Sequence, residues 1–147
     1  MVVLAAVLLA ACGGPASRPA HRAGIRTDRE PIATRFPELG DFPSVRWQGG
    51  TVGTGGDRGA PGPSTVWIEA VVQLAPAATE RLRGGYRWQP VPTGWQPELR
   101  APELADQFTS GRWETATGSC RPMIHDNYSG GCFLDDEHGR IFLQVTY

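Results

Sequence analysis

The densest group of polar side chains in this sequence lies between Cys120 and Cys132, where Arg121, His125, Asp126, Asn127, Tyr128 and Ser129 are followed by Gly130-Gly131. A histidine beside an aspartate is a minimal unit for moving a proton near neutral pH, because imidazole titrates there and a carboxylate can hold its tautomer. Asp135, Asp136, Glu137 and His138 follow a few residues later, so the two segments together carry the donor types of a His/carboxylate metal site. Spacing argues against both chemistries. No two histidines stand four apart as on a metal-binding helix, and Gly139 has the wrong offset for a calcium loop. No nucleophile elbow surrounds any of the six serines. The sequence therefore assigns no catalytic residue, no metal and no cofactor, and the simpler reading is a solvated loop and turn.

Composition narrows the chemistry further. The 147 residues have room for one domain. All fourteen basic residues are arginines and no lysine occurs, which excludes Schiff-base chemistry and the lysine-dependent phosphate loop of nucleotide hydrolases. A formal net charge of -1 provides no field to draw nucleic acid, so none is expected as a partner. Residues 49–63 hold seven glycines and two prolines, yet Gly53-Thr54-Gly55-Gly56-Asp57-Arg58 matches neither a phosphate cradle nor a dinucleotide loop. They read as a loop between two strands. Five tryptophans remain as binding candidates, and Trp88-Gln89-Pro90 recurs as Trp95-Gln96-Pro97. Indoles flanked by prolines suit stacking on a cell-wall glycan or a proline-rich protein partner, so Trp88 and Trp95 are expected on one exposed aromatic patch. Trp47 and Trp67 fall in strand patterns that assign them to the core.

Residues 2–11 are an uninterrupted run of Val, Leu and Ala. As a helix the run would be about 15 Å long, half a hydrocarbon core, which is the length of a signal-peptide apolar region and too short for a span. It ends in Leu9-Ala10-Ala11-Cys12, which resembles the lipobox of bacterial lipoproteins, with Leu9 the aliphatic position, Ala10 and Ala11 the small ones and Cys12 the acceptor. The resemblance implies that residues 1–11 are a cleaved signal peptide and that Cys12 carries diacylglycerol. It places the protein on the extracytoplasmic face of the cell membrane, with the membrane as a partner through that lipid. From residue 13 the chain is rich in Gly, Pro, Ala, Arg and Ser, with prolines at 15, 19, 31, 37 and 43, the composition of a linker. The expected division is signal peptide 1–11, lipid-anchored flexible tether 12–43 and folded domain 44–147.

With Cys12 given to the lipid and an oxidising compartment implied, Cys120 and Cys132 are left as a disulfide pair, worth about 3 kcal/mol through restriction of the unfolded chain. Within the domain, Val45 and Trp47 alternate with polar neighbours as a strand would. Val66, Ile68, Ala70, Val72 and Leu74 line one face of a second strand, with Trp67, Glu69, Val71 and Gln73 on the other. Pro76 suits a helix start, Ala78, Leu82 and Tyr86 share a side, and Gly84-Gly85 supplies the stop. A second short helix is expected over 101–108, with Leu104 and Phe108 as its apolar pair. The chain closes with a hairpin of 132–134 and 141–147 around the acidic turn. The fold class is α+β: a single small domain with a mainly antiparallel sheet, one or two short helices and a C-terminal hairpin. This order of strand, Leu74-Ala75-Pro76 corner and helix is similar to small lipoproteins of high-GC Gram-positive bacteria, a resemblance that implies no activity. The reading is a membrane-tethered binding or interaction module without catalysis, with Trp88, Trp95, His125, Asp126 and Tyr128 as possible ligand contacts. The alternative is a small cell-wall enzyme using His125 and Asp126 in the disulfide loop.

Overall fold

A computed structural model describes residues 24–52, 65–116, 120, 123 and 127–147. The alternating segment that follows Pro63 forms strand β2 (Thr65–Gln73), the longest-paired strand of the sheet. It lies antiparallel between β1 (Ser44–Val52) and β6 (Arg140–Thr146). Beyond β6 come β5 (Ser129–Asp135), β4 (Trp113–Ala116) and β3 (Trp88–Pro90), giving one antiparallel sheet ordered β1-β2-β6-β5-β4-β3. The α+β architecture, the strand after residue 64 and the C-terminal hairpin agree with the sequence pattern. β3 and β4 were not legible there, being three and four residues long, the first of them ending on Pro90.

The two faces of the sheet differ in chemistry. Trp47, Ala70, Leu143 and Cys132 are cross-strand neighbours on the first face and belong to one buried cluster. Helix α2 (Pro76–Gly85) packs there through Ala78 and Leu82, its proline in the first turn where a missing N–H costs nothing. Trp88 Nε1 donates to the Leu82 carbonyl at 3.0 Å and satisfies a group that the helix end leaves open. Cys120 and Cys132 form a disulfide within the same cluster, with Cα atoms 6.1 Å apart. The second face carries Val71, Phe142, Phe133 and Trp113 but also Glu69, Gln144 and Asp135. It is covered by the crossing segment 91–112, which contains the expected second helix as a tighter 3₁₀ helix, Pro102–Phe108, with Leu104 and Phe108 buried.

The expected boundary at residue 44 is corrected by the described part of the presumed tether. Residues 24–43 are folded: α1 (Glu30–Arg35) is followed by a 3₁₀ turn (Pro37–Leu39), and Ile32, Phe36, Leu39 and Phe42 are at most 1% exposed within the first-face cluster. These four apolar residues recur every three or four positions, so they turn one stripe toward the sheet. Frequent prolines give the segment a linker's composition, but Pro31 and Pro37 stand at helix starts, where they favour the turn. Ahead of α1, Arg26 exchanges two backbone hydrogen bonds with Trp47 and covers part of the β1 edge. A chain beginning at Ser44 is therefore expected to lose cooperative unfolding in urea, and Phe36→Ala in the full chain to lose about 3–5 kcal/mol. Unchanged stability of either would place the domain boundary at 44 after all.

Candidate functional site

Two buried carboxyl groups hold the crossing segment on the second face, and one of them, Glu69, lines a groove there. Glu69, 1% exposed on β2, accepts the backbone N–H of Arg100 at 2.9 Å and that of Ala101 at 2.8 Å. Its Oε1 also accepts from Gln144 Nε2 of β6 at 3.1 Å, and the same Nε2 donates to the Glu98 carbonyl at 2.7 Å. Asp135, fully buried at the end of β5, accepts the Arg112 N–H at 3.0 Å, the Arg140 guanidinium at 2.6 and 3.1 Å, and His138 Nδ1 at 2.9 Å. Arg140 extends the clamp by donating to the carbonyls of Gln107 and Ser110. Gly111 crosses so close to Asp135 that any side chain there would collide with the carboxyl group, and its φ of +111° is costly for other residues.

Where this cover ends, a groove of about 590 Å³ opens between residues 98–100 and the start of β5, walled by Trp67, Leu99 and Arg100, with Gly131, Gln144 and Thr146 along the sheet. Its volume falls in the range of roughly 300–1,000 Å³ typical of small-ligand sites. The half-buried Trp67 indole lies against Gly50 of β1, where an added Cβ would come within 2.9 Å of Nε1. Glycine at that position is what lets the ring stay close to the neighbouring strand.

The expected ligand contacts are dispersed. Cys12, His125 and Asp126 lie outside the described residues. Tyr128 is half-buried at the margin of the first-face cluster, with ring centroids 5.5 Å from Phe36 and 5.2 Å from Tyr147. Trp88 packs against that same cluster, whereas Trp95 packs on the second face, 4.7 Å from Phe133. The single aromatic patch expected from the repeated Trp-Gln-Pro is thus corrected. Although the tripeptides match, one begins a strand and the other lies in the crossing segment, and each ring packs half-buried against a different side of the sheet. Trp67, assigned to the core by its strand pattern, packs half-buried against the second cluster and also walls the groove. The available signal was its place on the same strand face as Glu69 and Gln73.

At the hairpin turn, Asp135, Glu137 and His138 bring ligand-type atoms within 4.8 Å of one another. Asp135 is already engaged by four nitrogen atoms from three groups, so the cluster reads as an interior anchor with an imidazole resting on it. Burial opposes ionisation of Asp135, but the Arg140 guanidinium, the Arg112 N–H and His138 outweigh it and hold the carboxyl below the usual range. Comparison of the chain with protein-family models, curated proteins and solved structures gives no match.

Two outcomes follow from the clamps. A depressed folded pKa means that the unfolded chain binds more protons in acid. The stability from Asp135 is therefore fully present above the ordinary aspartate value of about 3.9 and is lost as pH falls through the lower folded value. Asp135→Asn is expected to cost about 3–5 kcal/mol at neutral pH and to flatten the acid limb of a stability profile measured by urea unfolding. Glu69→Gln, which turns an amide toward one of two N–H donors, is expected to cost about 1–3 kcal/mol and to speed hydrogen exchange at Arg100 and Ala101. Exchange unchanged at both amides would remove Glu69 from its anchoring role.

Proposed function

We propose that this protein is a lipid-anchored, non-catalytic binding module on the extracytoplasmic face of the cell membrane, presenting the Trp67 groove to a cell-wall glycan or protein partner. The observation that carries the binding role is the chemistry of the groove. Its buried carboxyl, Glu69, is spent on two backbone N–H groups and the Gln144 amide, and among the described residues its lining contains no histidine or cysteine. A groove whose buried acid is spent on structural hydrogen bonds offers a ligand hydrogen-bonding and apolar contacts.

The anchor rests on Leu9-Ala10-Ala11-Cys12. Two acyl chains on Cys12 would supply the two attachments that stable membrane residence needs. The disulfide between Cys120 and Cys132 accords with an oxidising compartment. No helix among the described residues is long and apolar enough to cross a membrane. With folded chain already present by Gly24, twelve residue steps separate Cys12 from the domain, a reach of at most about 40 Å.

Mass spectrometry of protein from the membrane fraction is expected to show a chain starting at Cys12 with a diacylglyceryl mass added, and Cys12→Ala to move the protein out of the detergent phase. An unmodified Cys12 in membrane-extracted protein would end the anchoring proposal.

A further inference from the structure

We infer that the Trp67 groove is a saccharide site, accepting a neutral sugar chain with the apolar C–H face of one ring on the indole. The inference rests on the groove being the ligand site of the proposed module. A pyranose ring asks two things of a protein: a flat apolar platform for its C–H groups and fixed hydrogen-bonding groups around its rim. Trp67 provides the platform, half-buried and backed by Gly50.

Across from it, Gln144 supplies a polar group whose orientation is fixed by chemistry. Both partners of its nitrogen, Glu69 Oε1 and the Glu98 carbonyl, are acceptors, so the amide cannot be reversed and Oε1 is left as the acceptor. The Ser129 hydroxyl and the Arg100 guanidinium stand exposed on the same groove, adding donors at its rim. Gly131 leaves the sheet bare between them, and a Cβ there would press the Phe133 ring at 3.1 Å.

Charge separates a sugar from other small ligands. The groove pairs one exposed acid, Glu98, with one exposed base, Arg100, and Glu69 is covered by N–H donors. A phosphate would find a single guanidinium with the Glu98 carboxyl close by, and an ammonium ligand would find Arg100 beside it. A neutral polyol with an apolar face fits these walls without an unpaired charge.

The test is a titration of the full-length protein with the tetramer of β-linked N-acetylglucosamine, followed by amide and indole NMR. The expected result is saturable shifts at the Trp67 indole, Gly131 and the Gln144 side chain. Trp67→Ala is expected to weaken binding roughly tenfold, whereas Trp88→Ala leaves it unchanged. Gly131→Ala, which puts a methyl on the groove floor, provides a second weakened variant if Trp67→Ala unfolds. Absence of saturable shifts, or shifts centred on Trp88 or Tyr128, overturns the saccharide assignment. Perturbation of the same groove resonances by a cell-wall stem tetrapeptide and not by the sugar would overturn it while leaving the groove as the module's ligand site. The mass of Cys12 tests the anchor independently.

Discussion

Glu69 and Asp135 stand on the same face of the sheet, one on β2 and the other at the end of β5, and both take backbone N–H groups of the crossing segment from outside its 3₁₀ helix. Buried alone, either carboxyl would be expensive, and so would the unpaired amides of a segment crossing an apolar surface. Each removes the other's penalty. The crossing segment can then lay Trp95, Leu104 and Phe108 on Val71, Phe133 and Phe142, closing a second core that β-strands alone would leave open. The groove exists because this cover is fixed at residues 98–101 and does not extend over the start of β5.

The division of labour between the faces follows from that arrangement. The first face is predominantly apolar, mixing aliphatic and aromatic side chains, and is closed by α1, α2 and the disulfide. It holds the rigid framework. The second carries the polar residues that both pin the crossing segment and line the groove, so stability and ligand chemistry share residues such as Gln144. A site built from groups already fixed by structural hydrogen bonds loses little side-chain freedom when a ligand enters.

Much of the framework was readable from periodicity. Val66, Ile68, Ala70 and Val72 announce a strand because alternation is a local property, and Pro76 with Ala78 and Leu82 announces a helix for the same reason. The stripe of Ile32, Phe36, Leu39 and Phe42 was equally local but was hidden by proline-rich composition, which describes average stiffness and not the direction of side chains. Glu69 and Asp135 were unreadable in their roles. Their partners lie 31 or 32 and 23 residues away along the chain for the backbone amides, and no local pattern encodes such a meeting. The groove was obscured for a related reason: Trp67 belongs to an ordinary strand pattern, and only the end of a distant cover leaves its ring partly open.

Under the proposed N-terminal anchoring, the contact between Arg26 and Trp47 acquires a different meaning. Two backbone hydrogen bonds join these residues, Trp47 Nε1 donates to the Asp28 carbonyl, and the Arg26 guanidinium lies 4.2 Å from the centre of the indole. Any pull from before Gly24 enters the domain here, ahead of α1 and well ahead of the central strands. The cluster thus joins that entry point to the edge strand of the sheet through backbone, indole and guanidinium contacts together.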